Sequence, residues 1–134
     1  MRKFMVFAAA TAVVTTLAAA TYAQQPPANN VVVYYTTPLE KDPARLVRLQ
    51  HVTIPPGGGN TFHRHNGDQW AAIQEGEITY TIKGQAPRKL KAGDSVHIPR
   101  GTVHRNQNLS DKPVRTIELN IMDKDAPVTV PVTD

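Results

Sequence analysis

The fold is decided by two stretches of the sequence, GGGNTFHRHNGDQWAAIQEG (residues 57–76) and GDSVHIPRGTVHRNQN (residues 93–108). Both alternate short runs of strand-forming residues with glycine, proline and asparagine, the residues that favour turns. His63 and His65 are two residues apart, so on a strand their imidazoles lie on the same face. His104 follows the stiff loop Pro99-Arg100-Gly101 and belongs to a later strand.

The chain on both sides of these stretches has the same β pattern and no helical periodicity of useful length. Pro127 and Pro131 restrict the last strand to an edge or an extended tail, because proline cannot donate to a strand ladder. The spacing predicts an all-β sandwich or barrel. The nine predicted strands are Val31–Thr37, Leu46–Ile54, Thr61–His65, Gln69–Gln74, Glu77–Lys83, Ser95–Ile98, Val103–Asn108, Val114–Met122 and Val128–Val132.

Three histidines and one glutamine are predicted to converge inside this barrel. Gln69 follows His65 across the tight turn Asn66-Gly67-Asp68, which predicts that it faces His63 and His65 across an antiparallel pair. With His104 this gives three imidazoles and one amide oxygen, a donor set typical of a borderline divalent metal. Their sequence neighbours should point out of the barrel, namely Arg64, Trp70 and Arg105.

The two stretches resemble the two motifs of the cupins. In the first, Gly57, His63-x-His65, Gln69 and Gly76 have the spacing of the first cupin motif. In the second, Gly93, Pro99-x-Gly101, His104 and Asn108 have the spacing of the second. The resemblance implies a double-stranded β-helix, the jelly-roll cupin barrel. It also implies that His63, His65, Gln69 and His104 are metal ligands.

Gln69 departs from the family pattern, which has glutamate at this position. A neutral amide leaves a divalent ion its full charge, so the ion is a stronger Lewis acid and is held less tightly. It also removes the one ligand able to act as a general base. Two alternatives stay open: Gln69 hydrogen-bonds a metal-bound water instead of ligating, or the histidines are polar groups of a barrel that has lost its metal.

The resemblance implies a small-molecule ligand and two classes of function. The first is a metal-dependent enzyme acting on a small oxygen-chelating substrate, either a dioxygenase or a non-redox isomerase or lyase, which fits Gln69 better. The second is a non-catalytic periplasmic protein that binds a metal or a small ligand. Because an exported site fills outside the cytoplasm, the affinity order favours Cu, Zn or Ni over Fe or Mn.

Residues 1–23 have the features of a secretory signal peptide. Arg2 and Lys3 precede an apolar stretch, and small residues end it at Ala23. We therefore expect cleavage near Ala23, a flexible leader at 24–30, a cupin domain at 31–134, and a secreted or periplasmic protein. The alternative is an uncleaved membrane anchor, which four threonines between residues 11 and 21 make a poor span.

Composition limits the partners. The chain has 15 Lys+Arg and 11 Asp+Glu, and removal of Arg2 and Lys3 leaves 13 against 11. No run of basic residues is interleaved with aromatics, so nucleic acid is not expected as a partner, nor is membrane insertion after cleavage. There is no cysteine to act as nucleophile or ligand. Val31–Tyr35 and Val128–Val132 are suitable edges for a homodimer.

The remaining polar residues are predicted to have smaller roles. His97 alternates with Val96 and Ile98 and should face solvent. Two interpretations stay open for His51, a surface position or one that reaches the cavity. Arg100 should be solvated, with an anionic substrate as an alternative partner, and Asn108 should secure the backbone.

Overall fold

The protein is described by a computed structural model over residues 25–133. The predicted signal peptide lies outside the described residues. Between residues 25 and 133 no helix is long and apolar enough to cross a membrane. The described residues form ten strands: β1 Asn30–Leu39, β2 Asp42–Ile54, β3 His63–Arg64, β4 Gly67–Glu75, β5 Glu77–Ile82, β6 Arg88–Lys91, β7 Ser95–Ile98, β8 His104–Gln107, β9 Val114–Asp123 and β10 Val130–Pro131.

Two five-stranded antiparallel sheets face each other and confirm the predicted all-β jelly roll. The strand orders are β1-β2-β9-β4-β7 and β10-β3-β8-β5-β6. Strands distant in sequence are neighbours, as where β2 pairs with β9 over ten positions. The proline-containing last strand, β10, lies at a sheet edge, as predicted.

The predicted pairing of the strands around residues 66–68 is wrong. β3 and β4 do not form a hairpin, because β3 belongs to the second sheet and β4 to the first. Gly67 begins β4 and lies so close to β9 that an added Cβ would be 1.9 Å from the Ile121 carbonyl oxygen. This close approach lets the chain pass from one sheet to the other. Gln69 therefore faces the histidines across the space between the sheets, not along a strand ladder.

One strand was missed and another was predicted too short, in both cases because the sequence gives little hydrophobic alternation there. In β6 only Leu90 is buried, among three exposed basic residues. The first part of β2, before Leu46, is largely exposed and extends a ribbon that it forms with β1.

The interior has an apolar half and a polar half. Along β2 the buried side chains change from Gln50 to Val52 and Ile54, so a single strand contributes to both halves. The apolar half contains the hydrophobic core, and burial of each large aliphatic side chain there stabilises the fold by about 1.5–3 kcal/mol. Its members are Val52, Ile54, Ile73, Ile78, Tyr80, Leu90, Ile98 and Val114. The polar half contains the histidines.

Candidate metal centre

The structure brings His63, His65 and His104 together. A strand pair joins β3 to β8 directly at His63 and His104. All three side chains are buried, and one ligand atom from each lies within 4.8 Å of the others. The ring centroids are 4.3–5.1 Å apart. Arg64, between the first two histidines, is exposed, as the alternation predicted.

Each imidazole is oriented by a backbone carbonyl at its Nδ1 atom. The distances are 2.8 Å from His63 to the Thr61 oxygen, 2.7 Å from His65 to the Val128 oxygen and 3.0 Å from His104 to the Thr102 oxygen. A carbonyl oxygen only accepts, so Nδ1 carries the proton and Nε2 has the free lone pair. This is the usual arrangement of metal-ligating histidine.

The orphaned ring nitrogens show that the triad fits a metal ion. Nε2 of His65 and Nε2 of His104 are buried and have no hydrogen-bond partner among residues 25–133. A buried polar atom without a partner is costly, and a metal ion would supply one. Three neutral imidazoles are donors for a borderline divalent ion.

Burial also keeps His63 and His104 in the protonation state that ligation needs. Desolvation lowers the pKa of His63, and it lowers the pKa of His104 to about 4, with the neighbouring histidines adding to the effect. Both rings are therefore neutral at physiological pH. Metal binding need not displace a proton from either ring.

Gln69 lies in the same cavity and contacts a carboxylate. Its side chain is buried on β4, and its Nε2 donates to Oε2 of Glu118 over 3.4 Å. The amide nitrogen is thus directed at Glu118, and the amide oxygen is the atom of Gln69 able to ligate a cation.

Glu118 is a further candidate residue of this cavity, which the sequence analysis did not predict. Its side chain is 5% exposed and lines the cavity. Gln50 Nε2 donates to Oε2 at 2.8 Å, and Thr116 Oγ1 donates to Oε1 at 3.1 Å. Burial raises the pKa of Glu118, while these two hydrogen bonds lower it. Glu118 thus places a carboxylate in the cavity, although Gln69 leaves the candidate ligands themselves without one.

Two hydrogen bonds through Gln50 connect the Glu118 carboxylate to the guanidinium of Arg48. Arg48 Nε donates to Gln50 Oε1 at 2.7 Å, and the amide nitrogen of Gln50 donates to Glu118. The amide relays the polarity of the guanidinium to the carboxylate. Glu118 is thereby held in one orientation by three side chains, Gln50, Gln69 and Thr116.

A cavity of about 350 Å³ is lined by His63, His65, Gln69 and Glu118, and this volume suits a small organic molecule. Among the described residues no lysine or arginine lines it. Its lining combines side-chain amides with aliphatic groups. Besides His63, His65, Gln69 and Glu118, the lining residues include Asn29, Gln50, Asn60, Asn106, Val31, Val52, Ile54, Val128 and Thr129.

Comparisons with known proteins identify the family of this chain. A family model described as the cupin domain matches residues 50–121, which is more than half of the chain. The chain is a cupin. The resemblance of the two motifs and the predicted cupin barrel are thus confirmed.

Individual relatives agree with the family. This cupin is 35% identical over 85 residues to YdbB, an uncharacterized protein of Bacillus subtilis (strain 168), covering 63% of this chain and 68% of that one. It superimposes on the DMSP lyase DddQ from Ruegeria pomeroyi DSS-3 with a TM-score of 0.61 and 26% identity, covering 76% of this chain and 50% of that one. A cupin domain from Bordetella pertussis Tohama I gives a TM-score of 0.57 and 27% identity, covering 74% and 98%.

The neighbours of the candidate ligands in this cupin face outward, as predicted. Trp70 is 39% exposed and stacks on His97, with ring centroids 4.7 Å apart. His97 Nε2 lies 3.1 Å from Asp68 Oδ1. Arg105 is half-buried, with its guanidinium 4.8 Å from the Phe62 ring centroid.

The other polar residues discussed from the sequence, His51, Arg100 and Asn108, do not line the cavity. His51 is half-buried, on the face of β2 opposite the buried Gln50 and Val52, so it does not reach the cavity. Arg100 is exposed and pairs with Asp123. Asn108 Nδ2 donates to backbone carbonyls of Ile54 and Lys112, which confirms that it secures the backbone.

Proposed function

We propose that this cupin is a metal-dependent enzyme of the non-redox kind, a lyase or isomerase. His63, His65 and His104, with Gln69, would hold one divalent ion, and Glu118 would move a proton. The observation that carries the proposal is the placement of Glu118, a buried carboxylate, in the cavity that His63 and His65 also line.

The ligand set fits Lewis-acid chemistry. All four candidate ligands are neutral, so they leave the ion its full charge. A bound ion would polarise an oxygen of a small chelating substrate. We propose copper, zinc or nickel over iron or manganese. An exported protein binds its metal outside the cytoplasm, where the order of intrinsic affinities decides which ion occupies the site.

Glu118 supplies a proton acceptor for the polarised substrate. A proton on the carbon next to a carbonyl becomes acidic when the carbonyl is polarised. Glu118 takes that proton while the C–H electron pair forms a new double bond, and either a leaving group departs or the proton returns at another atom. Gln50 and Thr116 hold the carboxylate in position for this step.

The comparisons support the lyase class. The DMSP lyase superimposes at 26% identity over three quarters of this chain. A dioxygenase, the other enzyme considered, would give Glu118 no evident task. A non-catalytic binding protein would need no proton acceptor either.

Location and assembly are part of the proposal. The N-terminal 23 residues support export to the periplasm or beyond. The exposed edge strand β1 supports a homodimer, since long apolar edges are usually covered.

Metal content and anaerobic turnover test the function. Tag-free protein from its own compartment should contain about one Cu, Zn or Ni per chain by elemental analysis, and dominant iron or manganese would contradict the export argument. A screen of carbonyl compounds should give turnover without oxygen. Glu118→Gln should keep the metal and reduce kcat by about 10²–10⁴-fold.

Two outcomes would overturn this assignment. Oxygen consumption coupled to turnover would indicate a dioxygenase. Tight ligand binding without turnover, unchanged in Glu118→Gln, would indicate a binding protein.

A further inference from the structure

The segment after β9 crosses the cavity wall beside the triad. We call residues 127–132 the C-terminal strap. The Pro127 carbonyl accepts from Asn66 Nδ2 over 3.4 Å, and the Val132 N–H donates to the Phe62 carbonyl over 3.0 Å. Between these points Val128 and Thr129 line the cavity.

The strap supplies the carbonyl acceptor for Nδ1 of His65, whereas the acceptors of the other two histidines are close to them in sequence. His63 and His104 each donate to a carbonyl two residues earlier, at Thr61 and Thr102. His65 instead donates to the Val128 carbonyl, 63 residues further along the chain, over the shortest of the three distances, 2.7 Å. The orientation of His65 therefore depends on a tertiary contact.

The strap is held by few backbone bonds. Its strand β10 has two residues and pairs with β3 at two positions. By contrast, β2 and β9, which also wall the cavity, pair over ten positions. Fewer backbone pairings therefore hold the strap than hold β2 and β9 together.

We propose that the C-terminal strap is a structural component of the metal centre. The Val128 carbonyl fixes the proton of His65 on Nδ1 and turns Nε2 towards the other two histidines. Val128 is thus a positioning residue, acting through its backbone. The inference rests on the metal centre of the proposed function, and goes beyond it by making metal retention depend on the C-terminal segment.

Truncation gives a direct test. A chain ending at Ala126 lacks the strap, and a chain ending at Val132 keeps it and serves as the matched control. Zn²⁺ affinity is measured for both and for the full chain by competition with a chromogenic chelator. We expect the shorter chain to bind about 10–100-fold more weakly, the usual effect of losing a partner that orients a ligand, and the control to match the full chain.

A point variant covers the case in which the truncated chain does not fold. Val132→Pro removes the N–H that donates to Phe62, and Val132→Ala keeps it. Val132→Pro should weaken Zn²⁺ binding and speed its release, while Val132→Ala should not. Equal affinities in this pair and in the truncation pair would overturn the proposal.

The tautomer of His65 gives a readout independent of metal. Nitrogen-15 NMR of the metal-free full chain should show the proton on Nδ1, and loss of the strap should give a mixture of tautomers. If the full chain binds zinc and neither tautomer nor affinity changes without the strap, the strap proposal fails and the metal centre stands. If the full chain binds none of zinc, copper and nickel, both proposals fail.

Discussion

At the scale of single residues, the buried carboxylate of Glu118 accounts for the glutamine at position 69. Glutamate at position 69 would place a second carboxylate about where the Gln69 amide now donates to Glu118 over 3.4 Å. Two buried like charges so close cannot both ionise, and one pKa rises strongly. The amide turns this repulsion into a hydrogen bond. The carboxylate of this cavity is thus contributed by β9 instead of β4.

This interpretation predicts the effect of Gln69→Glu. The metal-free variant should lose about 1–3 kcal/mol of stability, because a donor to a buried carboxylate is replaced by an acceptor. Zinc should bind the variant more tightly, because a charged ligand replaces a neutral one. Thermal unfolding with and without zinc measures both effects.

The double variant Gln69→Glu/Glu118→Gln is the matched control. It should recover most of the lost metal-free stability, because one amide and one carboxylate again face each other. Equal destabilisation of the single and double variants would contradict the account.

The histidines could be predicted from the sequence and Glu118 could not, for a local reason. His63, His65 and His104 have glycines and a proline at fixed distances around them. Glu118 has no such neighbours. The only available signal was its position on the inward face of β9, between Thr116 and Asn120, and that face is known only once the sheet is assembled.

At the scale of elements, strand positions were more predictable than strand pairing. The turn at residues 66–68 indicates a reversal but does not say which sheet receives the next strand. That choice depends on β9, which follows β4 by nearly 40 residues and pairs with it from Gly67 onward. The close approach of the Gly67 backbone to β9, which no sequence pattern indicates, makes the change of sheet between β3 and β4 possible.

The edge strand β1 provides the prediction at this scale. Its exposed residues include Val32 and Tyr35, and it carries no charge that would discourage pairing with another chain. Tyr35 is 50% exposed. Tyr35→Lys should therefore weaken the proposed homodimer at least tenfold, measured by analytical ultracentrifugation.

The control for this variant is Leu109→Lys, at a loop residue that is 71% exposed. It should leave the association constant unchanged. A wild-type chain that is monomeric at micromolar concentrations would refute the homodimer itself.

At the scale of the whole molecule, the two halves of the interior have different tasks. The apolar half stabilises the fold, and the polar half contains groups that cost stability without a ligand, such as the Nε2 atoms of His65 and His104. Sites of this kind are tolerated only when the rest of the structure is stable enough to hold them.

This division predicts how the stability of the metal-free protein depends on pH. Burial lowers the pKa of His104 from 6.5 to about 4, so between these values the unfolded chain binds a proton that the folded chain does not. The contribution of His104 to the free energy of unfolding is therefore fully present above pH 6.5 and is lost as the pH falls towards 4. The difference corresponds to at most about 3 kcal/mol. His63 acts in the same direction.

Urea unfolding of the metal-free protein at pH 7, 5.5 and 4.5 measures this loss. His104→Gln should reduce the pH dependence, because the titrating group is gone. An identical slope in the variant would mean that other groups cause the loss.

Two parts of the cavity lining lie near the ends of the described residues, with Ala28 and Asn29 near residue 25 and Val128 and Thr129 near residue 133. An affinity tag joined close to either of these segments would thus lie near the candidate centre. A polyhistidine tag would bring competing imidazoles to it and change which metal is recovered. An epitope inserted in the exposed loop at Leu109 would allow purification without that interference.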